Sequence, residues 1–317
     1  MKIRLARASG ATFGVDDISC AAAMQLGLFA AQGLEVQWSD WRGGVAAMRA
    51  VLEGHADVAY AGFGPVVALR AAGHPCRIFV SQARALAQAL VVRIGIENLK
   101  GAVWAVDGIG ALSHHMSRLV VRALGINESE IRWDAIGPPP QRIAALREGR
   151  ADAALLRTEE ALALNRDHAD KLRRMLDFDE LKRLVPLQPH GVLATTDAYE
   201  QARPEVLRKL AVAMIQASRA LHDDAEIFAR VVRASVSVGL DNSELRLLWQ
   251  REHDSGGWAV NGEMGRVHWD AQLALFHQLN PGLRKIERRE ILCPEFVAAA
   301  LAQVGKHSAA FDTGDTA

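Results

Sequence analysis

Ala50-Val51-Leu52-Glu53-Gly54-His55-Ala56-Asp57-Val58-Ala59 and Ala145-Leu146-Arg147-Glu148-Gly149-Arg150-Ala151-Asp152-Ala153-Ala154 are two copies of one phrase. Each runs from the end of an apolar-periodic segment through Glu-Gly to Ala-Asp and then into a short apolar run. The Gly suits the left-handed residue that closes a helix, where a side chain would be strained. The apolar run after Asp has the length of a buried strand. Gly33-Leu34-Glu35-Val36-Gln37-Trp38 precedes the first copy, and Gly125-Ile126 leading to Ile131-Arg132-Trp133 precedes the second. The chain therefore predicts one α/β unit used twice, in two similar lobes.

Working outward from the first copy, strands are expected at Ile3–Ala8, Leu34–Trp38, Val58–Tyr60, Arg77–Ser81 and Ala89–Arg93, with helices at Ile18–Gln32, Val45–Glu53 and from Phe63 onward. Pro65 falls in the first turn of that last helix, where its missing N–H costs little. Around the second copy, strands are expected at Ala102–Val106, Ile131–Ile136 and Ala153–Leu156, with helices at His114–Leu124 and Gln141–Glu148. Alternation of this kind predicts mixed, mostly parallel sheets covered by helices. Gly191–Thr196 reads as a further strand. Beyond Pro204 apolar residues three and four apart predict helices at Glu205–His222, Asp224–Val238, Ser243–Gln250, Gly265–Leu279 and Cys293–Val304, with a frayed end from Lys306. Val91-Val92 and Gly191-Val192-Leu193 are the expected crossings between lobes. The expected division is residues 1–90 with 191–317 in the first lobe and 91–190 in the second.

A chain of 317 residues fits about two domains. Lys+Arg and Asp+Glu are both 37, so the formal charge is zero, which argues against nucleic-acid binding by bulk charge. No run approaches the roughly 20 apolar residues that span a bilayer, so no membrane insertion is expected. The start, Met1-Lys2-Ile3-Arg4-Leu5, enters a strand with no signal-peptide pattern, which leaves a cytoplasmic protein or an export signal upstream. Cys20, Cys76 and Cys293 have no paired spacing and are expected to be inert thiols, neither disulfide nor zinc ligands.

Gly27-Leu28-Phe29-Ala30-Ala31-Gln32-Gly33-Leu34-Glu35-Val36 resembles the opening of the ABC-importer solute-binding proteins for alkanesulfonates, taurine and nitrate. The two Gly-x-Ala-Asp phrases, Leu99-Lys100-Gly101, Pro204-Glu205-Val206 and Gly257-Trp258 with Asn261-Gly262 match in order along nearly the whole chain. The resemblance implies an α/β, two-lobed periplasmic-binding-protein type II fold with a ligand cleft between lobes. It implies capture of a small organic, anionic solute (sulfonate, carboxylate or similar) by lobe closure, a permease partner if the chain is exported, and a periplasmic location; a monomer is expected. The same fold hosts a sulfinate desulfinase and a thiamine-pyrimidine synthase. The first relies on a cysteine in the first loop, and Arg7–Gly14 has none; the second carries a cysteine-rich run absent here. A cytoplasmic enzyme or ligand sensor stands as the alternative. An effector domain of the LysR type would need a helix-turn-helix before the first strand.

In such sheets ligands sit beyond the carboxyl ends of strands, beside helix N-termini. The candidate ligand-binding residues are therefore Ser9, Gly10, Thr12, Phe13, Phe63, Gly64, Gln82, Ile109, Ser113, His114 and Arg157. Ser113 could bind an oxyanion or only cap the helix that His114 begins. Arg157 could clamp an oxyanion or pair with Glu159 or Glu160 at the surface. Gln82 and Arg84 carry a similar choice. Phe13 and Phe63 could stack on a ligand or pack in the interior. Gly108-Ile109-Gly110 is no dinucleotide fingerprint, because the third glycine position is Ser113. His114 and His115 point about 100° apart on a helix and cannot chelate as an i, i+4 pair would. His190 precedes a crossing strand and reads as structural. No catalytic residue, metal ligand or cofactor is expected.

Overall fold

The computed structural model describes residues 1–8, 13–15, 18–83, 88–185 and 191–309. In chain order it runs through β1 Lys2–Arg7, α1 Ile18–Gln25, α2 Leu28–Ala31, β2 Glu35–Asp40, α3 Gly43–Leu52, β3 Val58–Gly62, α4 Phe63–Ala71 and β4 Cys76–Ser81. Next come β5 Gln88–Arg93, β6 Val103–Val106, α5 Leu112–Ala123, β7 Arg132–Ala135, α6 Pro139–Glu148, β8 Ala153–Arg157, α7 Thr158–Asp167, β9 Leu172–Leu176 and α8 Phe178–Leu184. The remainder is β10 Gly191–Thr196, α9 Asp197–Ala202, α10 Pro204–Asp223, α11 Ala225–Ser235, α12 Asn242–Ser255, α13 Arg266–Leu279, α14 Arg288–Ile291 and α15 Pro294–Val304.

The chain forms two compact units. Unit 1 comprises Met1–Leu86, Gln188–Ser237 and Trp249–Ala317; unit 2 comprises Ala87–Leu187 and Val238–Leu248. Val238–Leu248, expected with the first lobe, groups with unit 2. There Arg166 bonds Glu244 at 3.0 Å and the Gly239 carbonyl at 3.3 Å. Each unit holds one five-stranded sheet, in the orders β2-β1-β3-β10-β4 and β7-β6-β8-β5-β9. In unit 1, β1 is parallel to β2 and β3, while β10 is antiparallel to β3 and β4. In unit 2, β6 is parallel to β7 and β8, while β5 is antiparallel to β8 and β9. Four strands of each sheet thus share a direction. β5 and β10, the expected crossings, pair along their lengths within single sheets, so neither passes between units.

The duplicated phrase performs the same work in both units. Gly54 and Gly149 adopt φ of +78° and +75° after α3 and α6. His55 N–H then returns to the Ala50 carbonyl at 2.8 Å, and Arg150 N–H to the Ala145 carbonyl at 2.9 Å, closing helix ends of the Schellman type. The aspartates tie the following strand to the next. Asp57 accepts the Arg4 N–H at 2.8 Å and pairs with the Arg4 guanidinium at 2.7 Å. Asp152 accepts the Val103 N–H at 2.9 Å and pairs with Arg93 at 2.5 Å. Burial works against the Asp152 charge, but these donors outweigh it and hold its pKa below the ordinary carboxylate value.

Several local expectations change. Ile18–Gln32 is two helices, because Gly27 turns left-handed at φ +68°. The segment after Thr158, for which no elements are expected, supplies α7, β9 and α8; Asp177 caps α8 by accepting the Glu180 N–H at 3.0 Å. β9 completes its sheet, and Leu172 joins the unit 2 core with Leu146, Leu156 and Leu164. Lys306–Ala309 does not fray: His307 is fastened to Asn261 through N–H···Oδ1 at 2.9 Å and Nδ2–H···O at 3.0 Å.

Candidate functional site

The carboxyl ends of the parallel strands place the candidate residues, and each unit presents its own set. In unit 1, Ser9, Gly10 and Thr12 lie outside the described residues, as do Arg84 and His190. Phe13 is half-buried beside β1. Its ring meets Trp38 edge-on at 5.6 Å, and the Arg7 guanidinium carbon lies 4.0 Å over it. Arg7 is itself paired with Asp40 at 2.5 Å, so Phe13 helps to desolvate an ion pair. Phe63 opens α4 and is 2% exposed. It packs edge-on against Trp269 at 5.3 Å and Phe276 at 6.1 Å, an interior packing role. Gly64 is buried beside it.

Gln82 leaves the end of β4 and is 1% exposed. Its N–H bonds the Gly191 carbonyl at 2.8 Å and its carbonyl accepts the Ala259 N–H at 3.0 Å, which locks the backbone. The Cys20 thiol donates to Gln82 Oε1 at 3.3 Å. That bond orients the amide, and Gln82 Nε2 is left as a buried donor without a partner among the described residues. All three cysteines are buried, and none forms a disulfide among the described residues. Burial pushes the Cys76 thiol up to about 12 and Cys293 higher still, so neither is a thiolate nucleophile at neutral pH.

In unit 2 the loop after β6 is tied by its own side chains. Ser113 is not the cap of α5. The helix begins at Leu112 with Ala111 as N-cap, because a Gly108–Ala111 turn brings Ala111 to that position and its carbonyl accepts the His115 N–H at 3.0 Å. Ser113 Oγ instead accepts the Asp107 N–H at 2.8 Å. Gly110 N–H donates to His114 Nδ1 at 3.0 Å, which leaves the proton of the neutral ring on Nε2. The His114 ring stands edge-on to Trp133 at 5.0 Å. Burial and the nearby Arg118 lower the pKa of His114, and the same causes take His115 to about 4. Both imidazoles are neutral at physiological pH. Ile109 is exposed at the tip of the loop.

Arg157 ends β8 and is half-buried; its N–H donates to Glu160 Oε2 at 3.0 Å in a reciprocal cap of α7. Thr158 follows, 2% exposed, and its Oγ1 has no partner among the described residues. Gln88 stands opposite Arg157 in the β5–β8 register, and its Oε1 has no partner among the described residues. Arg142 is the other residue that the sequence reading passes over. It is 4% exposed and donates to the Gly137 carbonyl at 3.1 Å and to the Leu155 carbonyl. Its signal was the turn Gly137-Pro138-Pro139-Pro140, which puts the first turn of α6 at the carboxyl end of β8. A separate groove of about 910 Å³ in unit 1, lined by Arg266, Asp270, Leu273, His277, Lys285 and Arg288 among others, includes no residue of these loops.

The arrangement offers directed donors and acceptors, with neutral imidazole and buried guanidinium groups.

A family model described as NMT1/THI5-like matches residues 17–226. No curated protein matches the chain. Among solved structures, a protein of Bordetella bronchiseptica RB50 is similar at 20% identity, with TM-score 0.79, over 96% of this chain and 98% of that one. The alkanesulfonate-binding protein SsuA of Xanthomonas axonopodis pv. citri, bound to MOPS, is similar at 18% identity, with TM-score 0.69, over 94% and 97%. A Candida albicans protein described as having the generic periplasmic binding protein fold is similar at 12% identity, with TM-score 0.68, over 95% of both chains. The fold is that of the periplasmic binding proteins.

Proposed function

Because the chain belongs to the NMT1/THI5-like family, we propose that it is the solute-binding component of an ABC importer, taking a small organic anion such as a sulfonate or carboxylate. The observation that carries this reading is a set of buried polar atoms without partners among the described residues at the carboxyl edges: Gln82 Nε2 in unit 1, and Gln88 Oε1 and Thr158 Oγ1 in unit 2. Buried polar groups are nearly always hydrogen-bonded, so such atoms mark where a polar ligand completes the network. Arg157, the His114 Nε2–H and the loop Gly108–Ser113 supply donors suited to an oxyanion. The sulfonate-binding relative supports the choice of ligand class. Closure of the two units on the solute, recognition of that state by a permease, a monomeric state and a periplasmic location complete the proposal.

The test is a thermal-shift screen of the purified protein against alkanesulfonates, aromatic carboxylates, nitrate and pyrimidines. A ligand at a hundred times its Kd stabilises by about 2.7 kcal/mol. Gln82→Ala and Thr158→Val are expected to weaken that ligand, with no compound consumed. The reading fails if no class of solute raises the melting temperature, or if a compound is turned over.

A further inference from the structure

Helix α10 ends in His222-Asp223, and the turn after α15 carries His307. We propose that these three residues form a site for a borderline divalent cation of the zinc, nickel or copper(II) class. This goes beyond the solute-binding reading and uses none of its residues.

His222 Nδ1 lies 2.9 Å from Asp223 Oδ1, and His307 Nε2 lies 3.1 Å from the same oxygen. The three donor atoms fall within 4.8 Å of one another. Tetrahedral ligands at the usual zinc distances stand roughly 3.3 Å apart, so small rotations of His307 and Asp223 complete the set. Two imidazoles and one carboxylate suit this cation class better than magnesium or calcium, which take oxygen ligands. Asp223 is 51% exposed in its side chain, which leaves an open side for a water as fourth ligand.

The rings are held in place before any ion arrives. His222 stacks on His253 at 4.4 Å and meets Trp258 edge-on at 6.3 Å. The backbone of His307 is fastened by Oδ1 and Nδ2 of the Asn261 side-chain amide, as described above. Arg219 braces Asn261 Oδ1 at 2.8 Å and reaches the Gly305 carbonyl at 2.7 Å and the Val304 carbonyl at 3.1 Å. This cation, one turn before Asp223, is thereby occupied in holding the arm that carries His307.

The turn also shows what capture must change. Ala309 N–H donates to His307 Nδ1 at 3.2 Å, which places the ring proton on Nε2 in the free protein. A metal on Nε2 moves that proton to Nδ1, and the Ala309 amide must let go. Loading therefore exposes the Ala309 amide while it stiffens the His222–His307 pair.

The experiment uses the full chain, stripped with chelator and titrated with Zn²⁺, Ni²⁺ and Co²⁺ by calorimetry and visible absorption. One equivalent of Zn²⁺ is expected to bind, with ligand-field bands for Co²⁺ and faster amide exchange at Ala309. His307→Ala and Asp223→Asn, both at partly exposed positions, are each expected to weaken binding about tenfold or more with the melting temperature of the metal-free protein unchanged. His55→Ala, at an exposed histidine elsewhere in unit 1, is expected to leave binding intact. Absence of binding at millimolar Zn²⁺, or equal binding by His307→Ala, overturns the proposal. Solute binding is measured separately, so its failure is distinguishable from this one.

Discussion

The two units share a sheet and differ at its edge. Both use four strands of one direction and one reversed strand next to the end of the sheet, and both attach the third strand through Glu-Gly-x-Ala-Asp. At the carboxyl edge, unit 1 places the buried Gln82 amide with the Cys20 thiol on its Oε1, and the Arg7–Asp40 ion pair at the end of β1. Unit 2 places the neutral His114 imidazole, the Ser113 hydroxyl and the guanidinium groups of Arg142 and Arg157. A duplicated frame constrains what must be alike for the chain to fold. It leaves free the residues just beyond each strand, where recognition is decided.

The largest expected effect tests that asymmetry by pH. α5 of unit 2 carries His115, 7% exposed, with its pKa near 4 against an ordinary value of 6.5. The unfolded chain binds this proton more readily than the folded one. Stability is therefore full above about pH 6.5 and falls as pH drops toward 4, by about 3 kcal/mol for this group. His115→Gln is expected to flatten that slope in chemical denaturation, with hydrogen exchange locating the change in unit 2. A slope that the variant leaves unchanged would break the asymmetry.

Next come the duplicated aspartates. Asp57→Ala and Asp152→Ala each remove an acceptor for one backbone N–H and one guanidinium, and each is expected to cost about 2–3 kcal/mol in its own unit. Near-equal costs sharpen the equivalence, and a neutral result at either site breaks it. Gly54→Ala and Gly149→Ala follow at about 1 kcal/mol each, set by the positive φ alone, since no contact closer than 3.6 Å opposes the added methyl. A large difference between the two, read by denaturant titration, would mean that the phrases are alike only in sequence. The smallest effect belongs to Ser113→Ala, about 1 kcal/mol or less of stability. Because its hydroxyl holds the loop that is proposed to meet the solute, the variant is expected to lose affinity out of proportion to its stability in calorimetric titration.

The frame was legible because its signals are local. Glycine at helix ends, proline in first turns and short apolar runs gave nearly every strand of unit 1 and the first strands of unit 2. Where the reading stopped, the cause was physical. Gly27 sits in a run of good helix formers, and only its left-handed backbone shows that the helix breaks. β9, Leu172-Arg173-Arg174-Met175-Leu176, alternates too little to announce a strand and is held by pairing with β5. Ser113 looks like a cap by type and position, yet the Gly108–Ala111 turn just upstream moved the helix start two positions earlier, to Leu112. Arg142 is passed over within α6, and it is buried because α6 begins against the end of β8.

By itself the sequence determined the α/β alternation, the duplication and the sites where strands hand over to loops. These depend on periodicity and backbone preference within a few residues. Only the tertiary structure decided which strand runs against its neighbours, which buried polar atoms remain without partners, and that His222, Asp223 and His307 meet. Those outcomes depend on register and packing between segments far apart in the chain. Asn261 and Arg219, which bring His307 to the end of α10, carry no signal near His307 in sequence.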